Sequence, residues 1–385
     1  MGEFSSDDTC ETGGKWMDFA TPPRWAVGEQ PDYQGRTAVV ILHNGTNAHL
    51  SSETEASFIK PLTFNLNVNS TKGNRKRTHD INGYPLTIID TPERVSQLMD
   101  DLLVNPTEDL YVDLEGENLC RHGTITIVAI HLVEPRRTYL VDVHTLGDTA
   151  FYTPAAVDNT TTLKTILESH TRTKVFFDVR NDSDALRVLY DILLQGVMDV
   201  QIMELGFRQC TGGGWLRGLR YCVRNSTQVG LSAEEKNEWL ENKWQMARKF
   251  RSMDGEGGEH HDPGLTQRPL TPEAVEYSAG DVVLLPQVRR EYMDTLDDFW
   301  MWFVERETAA RVEESQDDGY VPHGRRKALV PWTVPDFEER IKEYNRMIED
   351  EYYPTDDDES EASDAEDCFL WFHGVSFWLY EVSLG

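Results

Sequence analysis

Long apolar runs are missing from this chain. Nowhere do the roughly 18 consecutive apolar residues of a membrane span occur, and mean hydropathy is -0.52. Cysteine is scarce: Cys10, Cys120, Cys210, Cys222 and Cys368 are widely spaced, odd in number and without a C-x-x-C pair. Neither a structural zinc site nor a disulfide framework is indicated. The first residues, Met1 to Asp8, offer no basic start and no apolar core. No signal peptide is therefore expected, and an intracellular location, cytoplasmic or nuclear, is the default reading. Gly212-Gly213-Gly214 is not part of a G-x-x-x-x-G-K-[ST] phosphate loop, and G-x-S-x-G and H-E-x-x-H are absent. Positive charge is short as well, with 37 Lys and Arg against 67 Asp and Glu and a net charge of -30. Bulk electrostatics will not draw such a chain to a polyanion, so any nucleic acid must be held by local basic clusters and bound cations.

What is present falls into three parts. Residues 1–83 are polar and irregular, and read as a largely disordered region. It contains one apolar island, Ala38 to Leu42, and a basic cluster, Lys72 with Arg75-Lys76-Arg77. That cluster suits a solvated linker, or a nuclear-targeting or nucleic-acid foothold. The middle part, 84–305, alternates strand and helix signals. A strand at 85–89 leads to Thr91-Pro92-Glu93, a helix start with a capping hydroxyl and a first-turn proline. Strands around 110–115, 123–130 and 139–143 predict an antiparallel meander. A helix around Leu163, a strand at 174–179 and a helix through Leu186 and Leu189 follow. Residues 200–205 are apolar enough for core, and Thr271-Pro272-Glu273 opens another helix, in which Pro286 predicts a kink or break. The last part, 306–385, reads as an acidic, mostly disordered tail; residues 301–385 hold 22 acids and 8 bases. Its apolar end, Cys368 to Val382, is short for a membrane span and suits docking onto the domain or onto a protein partner.

The chemistry starts at Asp109-Leu110-Tyr111-Val112-Asp113-Leu114-Glu115-Gly116. On a strand, residues i and i+2 share a face, so Asp113 and Glu115 stand side by side. Two adjacent carboxylates repel, and a divalent cation offsets the cost of keeping both ionised. Taken alone, the pair fits solvated surface acids equally well. Two later positions add weight. Asp182 sits where a strand hands over to a helix, with Asp178 and Asp184 as competitors and a helix cap as the plain alternative. Tyr277 and Asp281 are four apart on a predicted helix, hence on one face, though Tyr277 alone also suits a core position. Together these are the parts for two-metal phosphodiester cleavage, with ions about 3.5–4 Å apart. All-oxygen donors favour Mg2+ or Mn2+.

With D-x-E, a later Asp and Y-x-x-x-D in order, the chain resembles the DEDDy branch of the DEDD 3′–5′ exonucleases, the ribonuclease D-like family. The settings are similar too: K-V-F-F-D-V-R-N-D-S-D-A-L around Asp182 and R-P-L-T-P-E-A-V-E-Y-S-A-G-D-V around Tyr277 and Asp281. V-D-L-E-G-E-N-L and D-V-R-N-D-S-D-A-L look closest to exonuclease-domain proteins related to the animal piRNA-pathway adaptor. The resemblance covers residues 85–300. It implies an α/β, ribonuclease H-like mixed sheet flanked by helices, with disordered N- and C-terminal extensions. It also implies roles: Asp113 bridging two ions, Glu115 and Asp281 completing the water-activating ion's site, Tyr277 positioning that water, and Asp182 holding the second ion. The alignment of Lys174 selects Asp182 over its competitors. The chain departs from the family at Phe177, where many members carry histidine, and no C-terminal helical RNA-binding domain is recognisable. The implied activity is 3′–5′ exonucleolysis of a single-stranded RNA or DNA 3′ end, with RNA favoured. The adaptor relatives imply an alternative, a catalytically inactive RNA-binding protein.

Residues 207–270 interleave Arg208, Arg217, Arg220, Arg224, Lys243 and Arg248 with Trp215, Tyr221 and Trp244. Such a mixture suits a single strand, whose bases stack and whose phosphates are neutralised. It suits equally a solvated helix pair with its aromatics in the core. His122, His131, His144 and the pair His260-His261 form no second catalytic pattern.

Overall fold

The computed structural model describes residues 78–81, 84–251 and 264–352. All of them lie in the second of two compact units, Phe58–Gly385. The apolar island, the basic cluster at 72–77, His260-His261, the acidic run at 356–361 and the apolar end lie outside the described residues.

Seven strands form one sheet: β1 Thr78–Ile81, β2 Tyr84–Ile89, β3 Leu110–Glu115, β4 Ile127–Leu132, β5 Arg137–Val141, β6 Lys174–Phe176 and β7 Val197–Asp199. Their order across the sheet is β1-β2-β5-β4-β3-β6-β7. The strands β3, β4 and β5 pair antiparallel, while β3-β6, β6-β7 and β2-β5 are parallel. A mixed sheet of this order is the ribonuclease H-like arrangement, extended at one edge by the β1-β2 hairpin. Eleven α-helices surround it among the described residues: α1 Pro92–Leu103, α2 Val143–Leu146, α3 Thr149–Tyr152, α4 Leu163–Leu167, α5 Arg180–Tyr190, α6 Val200–Phe207, α7 Leu219–Asn225, α8 Ala233–Arg251, α9 Pro272–Met293, α10 Asp298–Gln316 and α11 Val334–Tyr352.

Alternation along β3 decides the two layers. Leu110, Val112 and Leu114 point into the core shared with α1, α4 and α5. Tyr111 points the other way, into the core shared with α6, α9 and α10. Period two then sends Asp113 and Glu115 to the α9 side as well. The helix starts are capped as their sequences require: the Thr91 hydroxyl accepts from Arg94 N–H at 3.4 Å and that of Thr271 from Ala274 N–H at 3.2 Å, each before a proline.

Several expectations are corrected. The sheet begins at Thr78, inside the stretch 1–83 read as largely disordered. Pro286 does not end its helix; α9 runs continuously from Pro272 to Met293. The larger correction concerns the tail assigned to residues 306–385 as mostly disordered. Through residue 352 it is folded, as the rest of α10, a 3-10 turn at Arg325–Ala328, and α11. In the α10 part of the tail the buried positions, Thr308, Arg311, Val312 and Ser315, have helical spacing but are mostly polar, so no apolar stripe betrays them. Aromatic packing holds α11 in place, with Phe337 stacked on Trp300 at 5.3 Å between centroids.

Lys174, at the head of β6, is fully buried, and its ammonium donates to the Ser169 carbonyl. Burial, with Arg172 nearby, lowers its pKa to about 7. Below that pH both folded and unfolded chains carry the charge and its burial cost is complete. Between about 7 and the ordinary lysine value near 10.4 the unfolded chain holds more protons, so stability rises with pH. Wild type should therefore gain stability relative to Lys174→Met between about pH 7 and 10. Urea melts at pH 7 and pH 9.5 measure this; a constant difference between the two proteins would contradict it.

Candidate active site

Strand geometry brings the first two acids together, and α9 brings the next two residues over them. Arg289 of α9 grips the start of β3, donating to Asp109 Oδ2 at 2.6 Å and to the Tyr111 hydroxyl at 3.1 Å. From Arg289 back to Asp281 is about 12 Å of helix, and from Asp109 on to Asp113 is about 13 Å of strand. The matched spans lay Asp281 over Asp113. Another turn back, Tyr277 lies over Glu115. The charges agree: Asp281 acts on the Asp113 carboxyl, and Glu115, Asp281 and Asp113 all act on the Tyr277 hydroxyl.

Asp182 arrives from the opposite layer. Strand β6 ends at Phe176, so beyond Val112 that edge of β3 has no strand beside it. There Asp182 Oδ1 accepts the Leu114 N–H at 3.1 Å, which fixes the carboxylate between Asp113 and Glu115. Its competitors are engaged elsewhere. Asp178 accepts from Arg180 Nε and Nη2, at 2.5 and 2.8 Å, and Asp184 accepts from the Arg121 backbone N–H and Nε at 2.8 and 2.6 Å. Gly116, just after the pair, has its backbone against the Thr124 carbonyl, where a Cβ would come within 1.8 Å.

The turn that launches α5 is held from below. Asp178 has φ +61°, and its N–H and that of Val179 donate to the buried Asp199 carboxylate at 2.9 and 3.1 Å. Arg311 of α10, 4% exposed, donates to Asp199 Oδ2 at 2.7 Å and Gln201 Oε1 at 3.0 Å. The fold beyond residue 298 thus braces the segment that presents Asp182.

One member of the site escaped the sequence reading, which had placed Lys243 in a strand-binding or solvated region. Lys243 of α8 is 8% exposed, and its Nζ lies 2.8 Å from Asp281 Oδ1 and 3.8 Å above the centre of the Tyr277 ring. It also donates to the Tyr277 carbonyl at 2.9 Å. Gly280 allows the approach of α8, since a Cβ there would be 3.2 Å from Trp239 Nε1 and 4.0 Å from Lys243 Cε. The available signal was spacing: Trp239 and Lys243 are four apart, on the helix face that is buried.

Burial and crowding reshape the ionisation of Asp113, Glu115, Asp182, Tyr277 and Lys243. Burial first, then Asp281, raises Asp113 to about 7, against the pull of Lys243. Burial and Asp113 push Glu115 far up, and burial with Asp113 and Asp178 does the same to Asp182. Burial also raises the Tyr277 hydroxyl. For Lys243, burial would lower the value, but Asp281, Glu115 and Asp113 outweigh it and the ammonium is held. Four carboxylates offering only oxygen to one small region are a donor set that fits Mg2+ or Mn2+. Among the described residues no three acids are drawn into a coordination shell, and the cation in the cluster is the ammonium of Lys243. Beside it lies a cavity of about 70 Å³ with Asp113 and Asp281 on its wall and Phe177, Leu219 and Leu285 as its apolar lining.

A family model described as 3′–5′ exonuclease matches residues 86–297. The human piRNA biogenesis protein EXD1 is 38% identical over 105 residues, 27% of this chain and 18% of that protein. The Xenopus laevis protein of the same name is 26% identical over 185 residues, 47% of this chain and 36% of its own length. The chain therefore spans well under half of these curated relatives. Ribonuclease D of Trypanosoma brucei superimposes with a TM-score of 0.50 over 66% of this chain and 80% of its own, at 21% identity, a likeness of fold. With more than half of its residues covered by the family model, the chain belongs to the 3′–5′ exonuclease family, related to EXD1.

Proposed function

We propose that the protein is a divalent-metal-dependent 3′–5′ exonuclease that shortens single-stranded nucleic acid, RNA in preference to DNA. The observation that carries this reading is the meeting of Asp113, Glu115, Asp182, Tyr277 and Asp281 at the end of β3. In this reading Asp113 with Glu115 and Asp281 would hold one ion of Mg2+ or Mn2+, and Asp113 with Asp182 would hold the other. When bound, such ions supply Lewis acidity and an activated water for attack on phosphorus. Tyr277 keeps its proton throughout the physiological range, because burial and the surrounding acids raise it. Its hydroxyl is thus a hydrogen-bond donor that orients the attacking water or a phosphate oxygen, and not a base. Phe177 and Leu219 give the terminal nucleotide an apolar wall and keep bulk water away from the phosphorus. The preference for RNA rests on the name of the EXD1 relatives as piRNA biogenesis proteins.

A second reading is favoured by one observation. The Lys243 ammonium sits among the acids as a built-in counter-ion. If it stays there, the same cleft holds RNA without cutting it.

Two experiments decide. With a 5′-labelled single-stranded RNA, magnesium should produce a ladder of products shortened one nucleotide at a time. Asp113→Asn should slow it by at least a hundredfold, beyond the roughly 10–100-fold cost of losing an outer-sphere partner. Binding without laddering by the wild type would support the silent reading instead. Removing the counter-ion gives the other measurement. Metal-free Lys243→Met should be destabilised by on the order of 3 kcal/mol, the cost of an unpaired buried charge. Its melting temperature should rise more with Mn2+ than that of wild type. An equal rise in both would show that Lys243 does not compete with metal.

A further inference from the structure

The segment after α10 turns back toward the site and is pinned there. Arg180 Nη2 donates to the Lys327 carbonyl at 2.9 Å, and the Lys327 ammonium donates to Asn181 Oδ1, which also accepts from the Tyr320 hydroxyl at 3.3 Å. Asn181 immediately precedes Asp182. On its other side the segment pairs with the glycine-rich loop: Leu216 N–H donates to the Ala328 carbonyl at 2.9 Å and Val330 N–H to the Gly214 carbonyl at 3.1 Å. Trp215 and Leu329 are thereby an antiparallel bridge pair, with side chains on one face. Trp215 is 54% exposed.

Between these anchors Arg325 and Arg326 point into solvent at the rim of a groove of about 920 Å³. Arg180 and Lys327 also line the groove, as do Glu313, Glu314 and Asp317 at the end of α10. In a chain of net charge -30 this is a local cationic surface at the edge of an acid cluster. An exposed indole beside it supplies what a single strand needs and a solvated turn does not. Phosphates are neutralised by the arginines, and a base stacks on the ring. The residues of the turn lie outside the 86–297 span of the exonuclease family model.

We propose that the turn Arg325-Arg326-Lys327, with Trp215, is the docking site for the phosphodiester backbone of the single strand upstream of its 3′ end. Arg325 and Arg326 contact successive phosphates, Trp215 stacks a base, and Glu313 and Glu314 repel the strand from the end of α10. The assignment rests on the reading of the acid cluster as a site for nucleic-acid 3′ ends.

The test is fluorescence anisotropy of the full chain with a labelled single-stranded dodecaribonucleotide. Calcium replaces magnesium, because its looser coordination suits binding rather than cleavage. All the substituted residues are exposed, and a thermal melt of each variant verifies folding. Arg325→Ala/Arg326→Ala should reduce the dependence of log affinity on log salt by about 1.4, from about 0.7 per single-strand phosphate contact. Trp215→Ala should weaken binding about tenfold, within the range for one lost stacking contact, with the salt slope unchanged. Glu313→Gln/Glu314→Gln should tighten it. Wild-type affinity and salt slope in the double arginine variant, or a wild type that does not bind the strand, would overturn the assignment. Hydrolysis of thymidine 5′-p-nitrophenyl phosphate by the unmodified chain tests the nuclease reading separately. Turnover with indifferent arginines sinks only the docking site, whereas arginine-dependent binding without turnover sinks only the nuclease.

Discussion

The crowding of four carboxylates at the end of one strand is the constraint around which the molecule is arranged. Burial first, and then the like charges beside them, raises the pKa of Asp113, Glu115 and Asp182. A fold tolerates such a cluster only when something positive enters it or some of its acids take up protons. The Lys243 ammonium partly does so here, lifted from α8 into contact with Asp281 and the Tyr277 ring. Structural stability by itself would be served better by apolar side chains at these positions. Their presence therefore marks a site kept for chemistry or ligand binding.

Much of that site was legible in the sequence because its geometry is local. Period two puts Asp113 beside Glu115, and a four-residue step puts Tyr277 above Asp281. Each follows from a single element. The choice of Asp182 over Asp178 and Asp184 depended on family likeness, and the structure supplies the physical reason: the unpaired edge of β3 offers the Leu114 N–H to Asp182, while arginines occupy its neighbours. Lys243 was hidden because nothing in a lysine's immediate sequence says that its helix crosses another at Gly280. The same holds for Arg311 and Asp199, which are 112 residues apart and meet in the core. The tail reading failed because charge was counted while burial could not be. Thr308, Arg311 and Ser315 are polar residues doing the work of a helix's inner face.

The folded segment beyond the family-matched region is tied into the layer that carries the acid cluster. Arg311 couples α10 to the turn that presents Asp182, and α11 is locked to α10 by aromatic contacts and by the Arg340–Glu307 pair at 3.0 Å. The active-site layer and the C-terminal helices are thus one mechanical unit. The turn Arg325–Ala328, which lies between these helices, is thereby fixed relative to the acids.

In the proposed function, acids from β3, α5 and α9 form one divalent-cation site. Anomalous diffraction from crystals soaked in Mn2+ tests it most directly. Manganese peaks should touch the Asp113 carboxylate, flanked by Asp182 on one side and Glu115 or Asp281 on the other, with the Lys243 ammonium moved off Asp281. Manganese bound only at surface acids, with Lys243 still against Asp281, would contradict it.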